Sequence, residues 1–498
     1  MLFLGIDVGT SSIKVSVVDA DSQQVVASAQ YPDIENPIQS PQEGWAEQEP
    51  AMWWTCVQKA IGRVNATKQF DPTDIAAIGI GYQMHGLVLV DSAGKTLRSS
   101  IIWCDSRAVA NGDRLFRQIG EKRALSYLLN SPGNFTAAKL AWVMENEPDV
   151  YAKAQHLMLP GDYIALRLTG EATTSNSALS EGIFWDFNKD EVSEDVINAL
   201  GFRRELIPPV RPVFGEHGRL RLDIASDLGL KAGIPVTYKA GDQPNNALSV
   251  GVFEPGEVAA TAGTSGVIYA VTDKVAADPK SRVNTFAHVN HRRNEGENRL
   301  GVLLCINGTG ILNRWLRDEF GVGLTYADLN DLASQAPIGS EGIRVLPFGN
   351  GAERILENRT LGAMINGLNF NVHNRGHVFR AAQEGIAFSL KYGLDIMAAT
   401  GTPPAVIRAG KSNMFLSDLF TQTLVNAAQT PVELFDSDGA KGAALGAGIG
   451  LGVFAEPKEA FTKLKKLDTV EPDASRSAQY QDIYINWKEL LTKMLTDY

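Results

Sequence analysis

At 498 residues the chain exceeds what one hydrophobic core usually supports, so two domains are expected. Hydrophobic and charged shares of 44% and 21% are those of a soluble globular protein, with a net charge of −11. That balance excludes a general nucleic-acid or acidic-membrane partner, which needs a basic face, but not ATP, which needs only a local cradle.

Residues Met1 to Leu4 are too few for a signal segment before Asp7. The longest uncharged tract, 442–455, falls short of the about 18 apolar residues of a membrane span. Cys56, Cys104 and Cys305 have no metal or redox spacing, so a cytoplasmic location is expected.

Leu4, Ile6 and Val8 alternate with Gly5, Asp7 and Gly9, and Ile13, Val15 and Val17 resume the alternation after Gly9–Ser12. This predicts a β-hairpin whose tip offers backbone N–H groups, the hydroxyls of Thr10, Ser11 and Ser12, and a carboxylate. A third strand follows near Val25, then the loop 43–50 and a helix from about Ala51 carrying Trp53, Trp54, Val57 and Ile61. Residues 75–81 read as a strand entering the loop Tyr82-Gln83-Met84-His85-Gly86. Strands at 87–90 and 101–103 precede Cys104 and Asp105, and the stretch to about Thr169 is mostly helical, clearest at 137–145. Another strand, 234–240, ends in Gly241-Asp242-Gln243, and the domain boundary is placed there, at residue 243.

The second half repeats the opening. Ala260-Thr261-Ala262 runs into Gly263-Thr264-Ser265 and returns through Val267 and Ile268, again strand, turn and strand. Asn307–Gly310 precedes a helix, Gly376–Thr400 forms a long one, and the strand 405–409 enters Gly410-Lys411-Ser412-Asn413. Strands alternating with helices indicate an α/β fold.

The chain lacks both the Gly-x-x-x-x-Gly-Lys-Ser/Thr phosphate loop and the protein-kinase motif set. Two Gly-Thr-Ser turns can still cradle phosphate through backbone N–H groups, with Thr264 adding a hydroxyl. One such hairpin is uninformative; two, with Asp7 on the first, favour function. A carboxylate in an apolar strand is costly unless a cation stands beside it, and partly hydrated Mg2+ is a candidate. Asp242, at a strand's carboxyl end, can accept a proton from a hydroxyl nucleophile, although Gly-Asp there is also a common turn. The pairs His288/His291 and His373/His377 lack a third ligand and read as structural.

These motifs resemble the FGGY carbohydrate kinases, over almost the whole chain and in that family's order. The carriers are Asp7–Ser11, Trp45–Pro50 with Trp53-Trp54, Gln83–Gly86, Phe135–Trp142, Gly241-Asp242, Gly263–Ser265, and Gly310 ahead of Trp315. The resemblance implies two actin-like, ribonuclease H-like lobes, 1–243 for sugar and 244–498 for nucleotide, with an ATP and sugar cleft between them. It implies ATP and Mg2+ as cofactors, Asp242 as proton acceptor, and Asp7 with Asp242 on the metal. Gln83, Met84, His85, Asp105 and Asp242 would face the sugar. Thr10, Ser11, Ser12, Gly263, Thr264, Gly310, Gly410, Lys411 and Asn413 would serve the nucleotide.

The chain departs from the family at Arg408-Ala409-Gly410, where three glycines are common, so a narrowed adenine slot is one expectation. The implied reaction is phosphorylation of a pentulose such as xylulose. Ribulose, gluconate or a deoxyketose are alternative acceptors, and a non-kinase actin-like ATP switch is the alternative of another class. A homodimer is one assembly left open.

Overall fold

In the first unit, three strands run parallel and end level with one another. The computed structural model describes residues 1–292, 296–352 and 354–497. Leu2–Val8 pairs in parallel with Ile75–Tyr82, and Ile75–Tyr82 with Val236–Gly241. On its other side Leu2–Val8 turns back antiparallel into Ile13–Asp19, which pairs with Val25–Tyr31. The predicted hairpin is therefore present, closed by Gly9 N–H donating to Ser12 O at 3.1 Å.

Helices from both ends of the chain cover this sheet. Pro50–Ala66 buries Trp53, Trp54, Val57, Ile61 and Val64, the stripe expected from their spacing. Gly439–Gly450 lies directly on the strands, and its glycine richness has a steric cause. A Cβ on Gly5 would stand 1.9 Å from Ala440 O, and one on Gly79 2.0 Å from Ala443 O. Neither strand has room for a side chain under that helix. Gly79→Val is accordingly expected to destabilise the protein by about 3 kcal/mol or more, read from the urea midpoint; an unchanged midpoint would contradict this packing.

The chain forms two compact units, Met1–Phe253 with Phe286–Leu300 and Ser437–Leu464, and Glu254–Thr285 with Gly301–Asp436 and Lys465–Tyr498. A single cut after residue 243 does not describe this division. Gly439–Gly450 belongs to the first unit because its contacts are with Leu2–Val8, Ile75–Tyr82 and Val236–Gly241.

The second unit repeats the first one's strand order. Val432–Phe435, Val406–Gly410 and Glu257–Ala262 are parallel neighbours, and Glu257–Ala262 turns back antiparallel into Gly266–Thr272, beside Leu300–Ile306. Lys466–Val470 adds an antiparallel edge next to Val432–Phe435. The long helix Arg375–Ala399 buries Phe379, Ile386, Leu390 and Leu394. Among the described residues no helix is long and apolar enough to cross a membrane.

Candidate active site

The carboxyl ends of the three parallel strands gather the first unit's chemistry. Asp7 stands opposite Gly81 and Gly241 opposite Tyr82, so Asp7, the loop after Tyr82 and Asp242 emerge at one sheet edge. Asp242 is the first residue of the helix Asp242–Ser249, a position where the helix dipole favours a carboxylate. Burial, and then the charge of Asp7, nevertheless raise its pKa to about 7. Burial, and then Asp438, raise Asp7 to about 6, with Lys14 opposing. Lys14 itself pairs with Asp438 at 2.6 Å. Two coupled carboxylates short of a counter-charge suit a divalent cation. The described residues contain no cluster of three or more His, Cys, Asp or Glu able to hold a metal. A cation here would therefore draw the rest of its shell from water and phosphate oxygen, as Mg2+ commonly does.

The hairpin tip divides its tasks. The Thr10 hydroxyl accepts from Trp103 Nε1 at 3.0 Å and donates to Gln83 Oε1 at 3.2 Å. Gln83 Nε2 donates to Gln48 Oε1 at 3.0 Å, which also accepts from Trp53 Nε1 at 2.9 Å. Two indole donors thus orient both amides, and Thr10 is engaged inside its own unit. Ser11 is exposed and Ser12 half-buried at the tip.

Met84 is buried, and its Cγ would lie 2.6 Å from a Cβ on Gly241. His85 sits at φ +61° with its ring between Phe135 and Phe286, at centroid distances of 4.3 and 5.4 Å. A left-handed histidine is strained and must be held. Two buried ionisable residues hold it. Glu181 Oε2 accepts the His85 N–H at 3.3 Å, and the ring Nδ1 lies 3.1 Å from Glu181 O. Lys139 Nζ donates to His85 O at 2.7 Å.

Burial lowers the Lys139 pKa to about 7 against the opposing pull of Asp105, and burial raises Glu181 well above the usual carboxylate range. Neither residue stood out in the sequence as part of the site. Lys139 lies inside the Phe135–Trp142 motif, and nothing local distinguishes Glu181, at the end of the helix Asn176–Glu181, from a solvated glutamate. Lys139→Met is expected to raise the sugar KM at least about tenfold while the far-UV spectrum is kept, since one charged hydrogen bond contributes about 1.5–3 kcal/mol. A sugar KM equal to wild type would show that Lys139 does not position the loop.

Asp105 is fully buried and heavily committed. It accepts from Ala46 N at 2.6 Å and from Arg107 Nη2 at 2.7 Å. Arg107 in turn covers the Trp45 ring at 3.8 Å. The geometry makes Asp105 an anchor for the Trp45–Ala46 segment.

In the second unit, Gly263, Thr264, Gly310 and Asn413 line one cavity of about 360 Å³ together with Tyr326 and Leu416. Gly310 needs its bare Cα, because a Cβ would stand 2.3 Å from Gly263 O, which accepts the Gly310 N–H at 2.9 Å. Gly410 and Lys411 are not on that lining; the Lys411 ammonium lies 3.8 Å from Asp468. Arg408 does not narrow the cavity either. Its guanidinium is held by Glu433 at 2.9 Å and Glu257 at 3.1 Å.

Comparison with known proteins agrees with this layout. The N-terminal domain model of the FGGY family of carbohydrate kinases matches residues 2–249, and the C-terminal domain model matches 258–455. The xylulose kinase of Escherichia coli is 28% identical over 501 residues, covering 99% of each chain. The structure of xylulose kinase from Rhodospirillum rubrum superposes with a TM-score of 0.89 at 25% identity, over 99% of each chain. Gluconate kinase from Lactobacillus acidophilus reaches the same TM-score of 0.89 at 23% identity, over 100% of this chain and 99% of that one, a likeness of fold alone.

The chain belongs to the FGGY carbohydrate kinases, phosphotransferases acting on sugars with ATP and Mg2+. Its particular acceptor is a question for the sugar-side residues, because the fold is shared between kinases of different sugars.

Proposed function

We propose that the protein transfers the γ-phosphoryl group of ATP to the terminal hydroxyl of D-xylulose, giving D-xylulose 5-phosphate and ADP. The observation that carries this reading is the sheet edge where Asp242 stands beside Asp7 and the loop Gln83–His85. It is supported by xylulose kinase relatives that match the chain from end to end.

In this reading Asp242 takes the proton from the sugar hydroxyl as that oxygen attacks the γ-phosphorus. The bond from the γ-phosphorus to the bridging oxygen breaks, and ADP leaves with that oxygen. Burial, and then the charge of Asp7, raise Asp242 above the ordinary carboxylate range, the direction that favours accepting a proton. Mg2+, when bound, neutralises phosphate charge, and Asp7 with Asp242 are the residues that would hold it. Gln83, Met84 and His85 orient the sugar, with His85 fixed by Lys139 and Glu181. Thr264, Gly263, Gly310 and Asn413 form the nucleotide side, and Ser11 and Ser12 offer the free donors of the first hairpin. A cytoplasmic location and a homodimer are part of the same reading; sedimentation of the purified chain tests the second.

A panel of xylulose, ribulose, gluconate, a deoxyketose and glycerol in a coupled ADP-release assay tests the acceptor. Xylulose is expected to have the highest kcat/KM, because a site built to bond particular hydroxyls rejects analogues that leave its polar groups unpaired. Higher kcat/KM for any other member would overturn that assignment.

A further inference from the structure

Behind Asp242 the first unit buries an ion pair that takes no direct part in phosphoryl transfer. In the paired strands Val236–Gly241 and Ile75–Tyr82, Lys239 stands opposite Ile80 and Gly241 opposite Tyr82. Alternate residues of a strand share a face, so Lys239 and Gly241 point the same way. On that face the helix Pro160–Thr169 packs against both strands. Lys239 Nζ donates to its Asp162 Oδ1 at 2.6 Å, and both side chains are 1% exposed.

An ammonium has three hydrogens to give, and here each has an acceptor. The other two go to Thr173 O at 2.7 Å and Thr173 Oγ1 at 3.3 Å. Because that hydroxyl oxygen accepts, its own hydrogen is left for His217 Nδ1, 3.2 Å away. Burial, and then the Lys239 charge, lower the His217 pKa to about 2, so the ring is neutral and Nδ1 can accept. Asp162 is held as well, since its second oxygen accepts the Leu159 N–H at 3.3 Å.

The same helix start supports the sugar-side loop. Gly161 lies against the Tyr82 ring, where a Cβ would stand 2.1 Å from Cδ1. The Pro160 ring meets Gly86, where a Cβ would stand 2.8 Å from Cγ. Residues 160–162 thus brace both ends of the loop Gln83–His85 and grip the strand that ends at Asp242. A buried ion pair is seldom more stabilising than apolar side chains of the same volume. What this one adds is direction, through bonds that fix the strand against the helix.

We propose that Lys239 is a positioning residue: its bond to Asp162 sets the spacing between the base Asp242 and the loop Gln83–His85. A misplacement of about 1 Å can cost about 10²-fold in rate, so the tether is felt at the reacting atoms without touching them. This inference rests on the reading of Asp242 as the base and of that loop as the sugar side.

The test uses the full chain and whichever acceptor of the sugar panel has the highest kcat/KM, so it does not depend on that sugar being xylulose. Lys239→Met, assayed well below its unfolding midpoint, is expected to lower kcat/KM for the sugar at least about tenfold. The Kd of a non-hydrolysable ATP analogue should stay within twofold. Asp162→Asn keeps an oxygen for Lys239 and should retain kcat/KM within threefold. If Lys239→Met does not fold, Lys239→Met/Asp162→Leu, which strands no buried charge, carries the same expectation.

Wild-type kcat/KM in the folded Lys239→Met or double variant would show a merely structural pair and overturn the proposal. A tenfold loss in Asp162→Asn, or an equal weakening of nucleotide binding in Lys239→Met, would overturn it too. Asp242→Ala separates the two readings. Turnover retained in that variant overturns the assignment of the base, whereas its loss beside a fully active Lys239→Met overturns the tether alone.

Discussion

Asp242→Ala is expected to lower kcat for sugar phosphorylation by about 10³-fold or more while ATP still binds. General-base catalysis contributes about 10²–10⁴-fold, and here the base also shares the charge balance of the metal site. Asp242 begins a helix at the carboxyl end of Val236–Gly241, so the substitution removes a carboxylate without touching the buried strand. The backbone is already helical there, and alanine is the best helix former. Loss of turnover with unaltered nucleotide Kd and unfolding midpoint would isolate the chemical step. Near-normal turnover would remove Asp242 from the role of base.

The second large effect concerns Asp7. Asp7→Asn keeps the shape and removes the charge, and turnover is expected to fall about 10²–10³-fold, with a raised Mg2+ requirement, because a metal ion supplies several kcal/mol of transition-state stabilisation. Stability should move the other way. The folded protein raises the Asp7 pKa from its ordinary 3.8 to about 6, so its ionised form is disfavoured by folding. A group with a raised carboxylate pKa costs nothing below its unfolded value and its full penalty above the folded one. In metal-free buffer the asparagine variant should therefore melt higher than wild type at pH 8, and the gain should shrink as pH falls from 6 towards 4. Added Mg2+ should raise the wild-type midpoint and leave that of the variant unmoved. A variant less stable than wild type at pH 8 would show that Asp7 is already balanced by Lys14.

How much of this was legible in the sequence varied with the range of the interaction involved. Both hairpins, the strand before Asp242 and the helix stripe of Trp53, Trp54, Val57 and Ile61 follow from local alternation and spacing, and all appear in the fold. The helix Gly439–Gly450 was not legible as part of the first unit. Its glycines look like a weak helix until Gly5 and Gly79 are seen beneath it, an approach set by residues more than 350 positions away. Asp105 read as a sugar ligand by resemblance; only the folded chain shows Ala46 and Arg107 engaging its carboxylate.

Glu181 and Lys139 stayed hidden for a related reason. Charged residues on helices are ordinarily solvated, and nothing local marks these two as buried around His85. Thr10 illustrates the same limit, since the indole that engages its hydroxyl, Trp103, comes from a distant strand end.

The most direct test of the central claim is ADP release from ATP with and without xylulose, with the phosphorylated product identified by phosphorus NMR. The account predicts that ADP appears in step with xylulose 5-phosphate, that it is slow without sugar, and that Asp242→Ala lowers the sugar-dependent rate by about 10³-fold or more. ATP turnover indifferent to sugar, with no phosphorylated ketose formed, would contradict the account and point to a nucleotide switch built on the same two-unit fold.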